Sequence, residues 1–70
     1  MENTITITTE DGATATKGDR LYNYYDMKPG TIGRMEHDGW FEFNHEDGTR
    51  SFLNGQRVCT IAFAARKGWV

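Results

Sequence analysis

The chain has 70 residues, with ten acidic side chains, eight basic side chains and two histidines, and its formal net charge is −2. This length fits one domain that buries only about 60% of the surface of its unfolded chain, and its slightly acidic balance argues against a general nucleic-acid binder. No apolar run approaches the roughly 20 residues of a membrane helix, and the single cysteine, Cys59, is typical of a reducing compartment. We therefore expect a cytoplasmic protein without a disulfide and without a membrane span.

The N-terminal segment predicts a strand and a turn. Residues 4–8 alternate threonine and isoleucine, which favours a half-buried strand with the isoleucines inward. Residues 10–12, Glu-Asp-Gly, follow as a hairpin signal. We expect residues 1–16 to be a loosely attached strand or arm of a single domain that spans residues 1–70.

The next predicted strand covers residues 18–25, in which Leu21 points inward. Residues 27–30, Met-Lys-Pro-Gly, then predict a turn. Proline presets φ within a turn, and the glycine that follows it, Gly30, accepts a positive φ.

Residues 31–35 predict a further strand with an irregular face. Ile32 and Met35 are both apolar, but they have opposite parity along a strand. An isolated glycine inside a strand often marks a bulge. We therefore expect a bulge near Gly33 that turns both apolar side chains inward.

Residues 40–45 are the clearest strand, and their alternation predicts that Phe41 and Phe43 enter the core. An Asp-Gly turn precedes this strand and another follows it. Residues 50–59 then predict a second hairpin, because Asn54-Gly55 lies between two short strand-like runs.

The C-terminal segment has a different composition. Residues 60–67 are rich in alanine, which predicts a short helix with Thr60 as its N-cap. Gly68 suits the left-handed capping position, and Trp69 is then placed to fold back on Phe63 or its neighbour. The competing interpretation is a strand that continues through Phe63.

Taken together, these elements resemble the SH3-like small β-barrels. The similar features are a strand entered at residues 18–21, a loop that closes on residues 29–32, the aromatic run 39–43 and the Asp-Gly pair at 47–48. The chain looks most like short uncharacterised proteins of this kind from tailed phages and their bacterial hosts, over residues 17–59. The resemblance implies a mainly β fold: a small barrel of about five short antiparallel strands with a short C-terminal helix.

The same segment is also similar to the KOW-type barrels of ribosomal and transcription-elongation proteins. Gly18 and Gly30 correspond to their spaced glycines. The basic residues around the glycine loop are sparse here, with only Arg20, Lys28 and Arg34. The resemblance implies nucleic-acid binding in transcription or translation as the alternative to protein binding, and the sparse basic residues disfavour it.

An aromatic surface is the strongest candidate for a binding site. If the leucine and phenylalanines named above face the core, alternation places Tyr22, Tyr24 and Trp40 outward or at the barrel rim, with Arg34 nearby. Exposed Tyr, Trp and Arg side chains anchor protein interfaces, and such rings also stack bases. The alternative is that these rings pack on one another, under the N-terminal arm or the helix, as a second minor core.

Other reactive side chains have a structural explanation. The residue types that bind zinc or transfer protons are His37, Asp38, His45, Glu46 and Asp47. They lie in or beside turns, where solvated polar residues are expected, and no metal-ligand spacing appears. Cys59 continues a strand and is expected to pack as a small apolar residue. We predict no metal, no cofactor and no catalytic residue.

The function predicted from sequence is a small non-enzymatic binding module that engages a protein partner through the aromatic surface. The resemblance to phage proteins suggests an accessory or host-modulating role. A homodimer in which exposed strand edges or aromatic faces pair is a further interpretation, because short barrels leave strand edges unprotected. The basic side chains read as ordinary solvated charges interspersed with acids; they are Lys17, Arg20, Lys28, Arg34, Arg50, Arg57, Arg66 and Lys67.

Overall fold

The structure is a computed structural model that describes residues 5–36 and 38–70. Within these residues, the chain forms seven short strands, a single 3-10 turn and a C-terminal helix. The elements are β1 (Thr6–Thr8), β2 (Thr14–Thr16), β3 (Arg20–Asn23), β4 (Lys28–Met35), β5 (Trp40–His45), β6 (Arg50–Asn54), the 3-10 turn Gly55–Arg57, β7 (Val58–Cys59) and α1 (Ile61–Arg66).

Five strands form one antiparallel sheet in the order β6-β5-β4-β3-β7, and β1 pairs with β2 in a separate hairpin. The larger sheet curls into a half-barrel, and α1 follows its last strand. The predicted fold class, mainly β with about five short antiparallel strands and a short C-terminal helix, is therefore confirmed.

The core lies inside the curl of the sheet. Phe41 and Phe43 are fully buried, and their rings meet edge to face at 6.2 Å, as their alternation in β5 predicts. Ile32 lies opposite Phe43, whereas Met35 lies opposite Phe41, so that β4 uses one more residue than β5 over this stretch. This shift is the predicted bulge, and it allows Met35 to pack against the same core as Ile32.

The prediction of a turn at residues 27–30 is wrong. The β3–β4 connection is residues 24–27, in which Met27 has a φ of 57°, and Pro29 and Gly30 already belong to β4. Gly30 is needed for a close approach rather than for a turn, because a Cβ there would lie 2.5 Å from the backbone oxygen of Asn44. The turn between β3 and β4 therefore ends before the Pro-Gly pair on which the prediction rested.

The prediction of a hairpin over residues 50–59 is also wrong. β6 pairs with β5, but β7 pairs with β3 on the opposite edge of the sheet. Asn54 does not form a hairpin turn; its side chain accepts a hydrogen bond from the N–H of Gln56 at 3.1 Å and caps the 3-10 turn. Gly55 makes this crossing feasible, because a Cβ there would collide with the backbone oxygen of Thr8.

The described part of the N-terminal segment is a hairpin packed on the rest of the domain. Ile7 and Ala15 face each other across β1 and β2, and both are buried in the main core. The N–H of Glu10 donates to the backbone oxygen of Val58 at 3.0 Å. The hairpin therefore covers the edge of the larger sheet that β7 forms.

The C-terminal helix forms as its sequence predicts, so the competing strand is excluded. The Thr60 hydroxyl accepts a hydrogen bond from the N–H of Phe63 at 3.1 Å. At the other end Gly68 has a φ of 78°, and the N–H of Trp69 donates to the oxygen of Ala64 at 2.9 Å. This is a Schellman cap, and the Trp69 ring meets the Phe63 ring edge-on at 6.1 Å. With six residues in α1, the described chain contains no helix long enough to cross a bilayer.

Candidate binding surface

Tyr22 is not part of an exposed surface, and that prediction is wrong. Its side chain is only 1% exposed and packs with Cys59 and Ala64. The Trp69 ring stacks on it at 6.0 Å, and the tyrosine hydroxyl donates to the backbone oxygen of Trp69 at 3.3 Å. The outer face of β3 is covered because the chain returns as a helix over it, so Tyr22 belongs to a second minor core.

Tyr24 lies at the border of this second core. Its ring stacks on Trp69 at 5.9 Å, and its hydroxyl donates to the backbone oxygen of Gln56 in the 3-10 turn. Burial, followed by the negative charge of Glu10, raises the pKa of the Tyr24 hydroxyl. Tyr24 is therefore half-buried and holds two chain segments together.

Trp40 lies on the outer face of the sheet, as its parity predicts. It is half-buried, and its ring stacks on Phe52 with centroids 5.7 Å apart and an interplanar angle of 13°. Phe52 itself is 56% exposed. The sequence interpretation missed Phe52, although it occupies the outward parity of β6. These two rings form an aromatic pair on an otherwise polar face.

Arg34 is exposed and is engaged by a neighbouring acid. Two of its guanidinium nitrogens, Nη2 and Nε, contact the Glu36 carboxylate at 2.8 and 3.2 Å. The hydrogen bond to Glu36, together with its charge, raises the pKa of Arg34. Within the described chain, no ring contact joins Trp40 to Tyr22 or Tyr24. The four predicted residues are thus divided between two places.

A groove of about 320 Å³ lies beside Trp40. Its lining residues are Thr6, Ile7 and Thr8 from β1, Asp38, Gly39 and Trp40 at the start of β5, and Asn54, Gly55 and Gln56 after β6. Three chain segments far apart in sequence therefore form its walls. Only Trp40 among the predicted site residues lines the groove, because spacing along the chain gives no sign that β1 lies beside the 3-10 turn.

The backbone of β1 contributes polar groups to this groove. The N–H of Thr9 donates to the oxygen of Ala13 at 2.8 Å, which makes these two residues a hydrogen-bonded pair of the β1–β2 ladder. Pairs alternate along an antiparallel ladder, so the N–H and C=O of Thr6 point away from β2. Thr8 has the same parity as Thr6, and its backbone oxygen faces Gly55 of the groove lining. The backbone donor and acceptor of Thr6 therefore lie on the groove side of the strand.

His45 is buried, contrary to the prediction of a solvated turn residue. It is 5% exposed, and its Nε2 lies 3.1 Å from the side-chain nitrogen of Asn23. The oxygen of the Asn23 amide accepts hydrogen bonds from the N–H groups of Tyr25 and Asp26, so its nitrogen must face the imidazole. His45 Nε2 is therefore an acceptor, and its proton is on Nδ1, which lies 3.2 Å from the oxygen of Thr49.

The remaining members of the histidine and carboxylate group have structural partners. Asp38 accepts a hydrogen bond from the N–H of Trp40, and Asp47 accepts from Thr49 and pairs with Lys28. These hydrogen bonds hold the pKa of Asp47 far below its usual range. His37 lies outside the described residues. Elsewhere in the chain, the described histidine, cysteine and carboxylate side chains form no group that would hold a metal ion.

Cys59 packs in the second core as the small apolar residue that was predicted. Its side chain is 1% exposed, and it lies in a cluster with Tyr22 and Ala64. Burial, with a smaller contribution from the charge of Asp11, raises the pKa of its thiol. A raised pKa disfavours the thiolate that a nucleophilic cysteine needs.

Seven of the eight basic side chains fall into two groups. Four form ion pairs of 2.5–3.7 Å with carboxylates; the pairs are Arg20–Glu46, Lys28–Asp47, Arg34–Glu36 and Arg50–Glu42. Three others lie against aromatic rings. The guanidinium of Arg57 is 4.4 Å from the Tyr25 centroid, and Arg66 and Lys67 lie within 6 Å of Phe63. The ion pairs agree with the prediction of ordinary surface charges, whereas the second group places cations beside rings.

Comparisons with protein-family models, with curated proteins and with solved structures found no match to this chain.

Proposed function

We propose that this protein is a small non-enzymatic binding module, similar in kind to the SH3-like domains its sequence resembles, and that it engages an extended segment of a protein partner. The observation that carries the proposal is the place of Trp40. Trp40 lines the 320 Å³ groove, and its ring is stacked on the exposed Phe52. A rigid indole beside a concavity is the kind of anchor on which protein interfaces depend.

The groove suits an extended peptide. Its volume is at the lower end of the range for ligand sites, which is enough for a few side chains. The outward N–H and C=O of Thr6 can pair with a peptide backbone in the manner of an added strand. The carboxylate of Asp38 lies at the same site and favours a basic residue in the partner. We therefore expect a partner segment with one apolar or aromatic side chain and a nearby Lys or Arg.

A displayed library of random peptides, selected on the immobilised protein, tests this proposal. The selected peptide is then titrated against wild type, Trp40→Ala and Tyr25→Ala by calorimetry. We expect Trp40→Ala to weaken binding by about 10- to 100-fold, because hot-spot truncations cost about 1–3 kcal/mol. Tyr25→Ala is the matched control, since Tyr25 is 60% exposed but does not line the groove.

Amide chemical shifts locate the bound peptide independently of the variants. Shifts concentrated at Thr6, Trp40 and Gln56 support the groove. Selection of no peptide, or equal binding by Trp40→Ala with shifts elsewhere, contradicts the proposal. A circular dichroism spectrum of each variant establishes that the fold is retained.

The alternative function, nucleic-acid binding, is favoured by one observation. Arg57, Arg66 and Lys67 lie beside the rings of Tyr25 and Phe63, and interleaved cations and rings are typical of single-strand binding surfaces. Fluorescence anisotropy with labelled single-stranded RNA and DNA at low and moderate salt tests it. Binding that falls steeply with salt and is lost in Arg66→Glu/Lys67→Glu supports this function; no binding at micromolar protein contradicts it.

A further inference from the structure

The two edges of the five-stranded sheet differ in what covers them. The β7 edge has only two residues, and the N-terminal hairpin covers it through the hydrogen bond from the N–H of Glu10 to the oxygen of Val58. The β6 edge has five residues, and β5 is its only strand partner within residues 5–36 and 38–70. Among the described residues, the backbone contacts of β6 therefore leave one side of this strand open.

The ladder between β5 and β6 determines which backbone groups are open. The N–H of His45 donates to the oxygen of Thr49 at 2.8 Å, so these residues form a hydrogen-bonded pair in register with the ladder. By alternation, Ser51 and Leu53 direct their backbone groups to β5, and Arg50, Phe52 and Asn54 direct theirs outward. The oxygen of Asn54 is the first acceptor of the 3-10 turn. The backbone groups that remain open along the edge are therefore the N–H and C=O of Arg50 and Phe52 and the N–H of Asn54.

The β6 edge has few of the devices that usually protect an edge strand, and its one charged side chain, Arg50, is paired with Glu42. Its register with β5 is continuous over all five residues, without a bulge, and it contains no proline. The inward side chains of Ser51 and Leu53 are uncharged. Natural sheets prevent edge pairing with prolines, bulges or inward charges, and an edge without them is a template for another strand.

We propose that this protein forms a symmetric dimer in which β6 pairs antiparallel with β6 of a second copy, centred on Phe52. The three outward residues, Arg50, Phe52 and Asn54, are spaced evenly about Phe52. A two-fold axis midway between the two strands therefore places Phe52 of one copy opposite Phe52 of the other. The N–H of Asn54 in each copy then meets the oxygen of Arg50 in the other. About four backbone hydrogen bonds join the copies into one continuous sheet.

The side chains of the outer face favour a second copy as the occupant. In this register Arg50 lies opposite Asn54 of the second copy, so no like charges face each other. The ion pair of Arg50 with Glu42 remains within each copy. Each half-exposed Phe52 gains the other Phe52 as a cross-strand neighbour, which extends the stack that Trp40 begins. The edge is therefore complementary to itself.

Light scattering after size exclusion, across a concentration series up to about 1 mM, tests the dimer. We expect a mass that rises from 8.0 kDa toward twice that value. Phe52→Pro removes an outward N–H and no hydrogen bond to β5, because the N–H of Phe52 points away from β5. Proline is tolerated at such edge positions. Phe52→Ala is the matched control that loses the ring but keeps the N–H. We expect Phe52→Pro to raise the dimer Kd by at least about 100-fold and Phe52→Ala by about tenfold.

Amide hydrogen exchange measured by NMR on the wild-type chain decides the matter if Phe52→Pro does not fold. The N–H of Phe52 is expected to become at least about tenfold slower to exchange as the concentration rises through the dimer Kd. The N–H of Ser51 is the internal control, since it faces β5 and is protected at every concentration. A monomer at all concentrations, a dimer unaffected by Phe52→Pro, equal effects of the two variants, or Phe52 exchange independent of concentration each overturns the proposal.

Discussion

The carboxylate of Asp11 accepts hydrogen bonds from both the N–H and the hydroxyl of Thr60, at 3.2 and 2.7 Å. Thr60 is also the N-cap of α1, where its hydroxyl oxygen accepts the N–H of Phe63. One hydroxyl thus donates to the N-terminal hairpin and accepts from the helix. Because Asp11 lies in the turn between β1 and β2, this hairpin is linked directly to the element that buries Tyr22.

We expect this link to couple the two side chains energetically. Asp11→Ala and Thr60→Ala should each lower the free energy of unfolding by about 1–2 kcal/mol, through a lost charge-assisted hydrogen bond and a lost cap. The double variant should lose less than the sum, by about 1 kcal/mol, because the two residues share their contact. Urea unfolding of the four chains measures this cycle. Thr8→Ala, at an exposed position of β1, is the control; strictly additive losses would contradict the coupling.

Acid should weaken the same link. Burial by itself raises the pKa of Asp11, but hydrogen bonds from Thr9 and Thr60 outweigh it, so the folded pKa lies below the ordinary value of 3.8. A depressed folded pKa means that the stabilisation is complete above about pH 3.8 and is lost as the pH falls through the folded pKa. The difference in unfolding free energy between wild type and Asp11→Asn should therefore shrink below about pH 3.8. A difference that stays constant as urea melts are taken to more acidic pH would refute this.

Two glycines should respond differently to the same substitution. A Cβ on Gly30 would lie 2.5 Å from the Asn44 oxygen and 2.7 Å from the Phe43 ring, both of which belong to the packed sheet. We expect Gly30→Ala to abolish folding or to cost more than about 3 kcal/mol. Gly48 has a φ of 92°, and a Cβ there would meet nothing within 4 Å, so Gly48→Ala should cost only about 1–2 kcal/mol of backbone strain. Thermal melts of the two variants rank them.

The contact of Asn23 with His45 predicts both a tautomer and a cost. Asn23 is fully buried, and its nitrogen faces His45 Nε2 at 3.1 Å. Nitrogen-15 NMR of the imidazole should therefore show the proton on Nδ1. Asn23→Leu keeps the approximate volume but leaves the imidazole and two backbone N–H groups without their partner, and should cost about 2–4 kcal/mol. Observation of the Nε2–H tautomer in wild type would contradict the hydrogen-bond assignment.

Trp69 should be required for stability although it lies beyond the last helix. It contacts the rings of Tyr22, Tyr24 and Phe63. We expect Trp69→Ala to cost about 3 kcal/mol or more, since it removes a large side chain from a packed cluster. Val70 is 56% exposed, and Val70→Ala should change the unfolding free energy by less than about 0.5 kcal/mol. Similar midpoints of chemical unfolding for the two variants would argue against the second core.

Some features of the fold were predictable because their causes are local. The alternation of Phe41 and Phe43 defines the buried face of β5, and the single-residue bulge near Gly33 follows from the parity of its apolar neighbours. The helix is specified by the Thr60 cap at one end and by Gly68 at the other. Each of these depends on residues within one turn or one strand, so no long-range information is needed.

Other features could not be predicted because they depend on what the chain brings to each face. Alternation correctly placed Tyr22 and Leu21 on opposite faces of β3. It could not show that α1 and Trp69 cover the face on which Tyr22 lies. His45 follows the same logic, since the side chain of Asn23 reaches it only across the curled sheet. The Asn-Gly pair indicated a change of chain direction. It could not show that Gly55 packs against β1 and that the chain crosses from β6 to the opposite edge of the sheet instead of forming a hairpin.

The mainly β architecture, the bulge, the parity of β5 and the capped helix all follow from the order of the residues alone. Which aromatic rings are exposed, where the groove lies and which sheet edge is open follow from tertiary packing. Hydrophobic periodicity distinguishes the two sides of a strand, whereas exposure depends on the segments packed against each side. Among the described residues those segments are the N-terminal hairpin and the C-terminal helix, which close one edge and one face of the sheet and leave the β6 edge, Phe52 and part of Trp40 accessible.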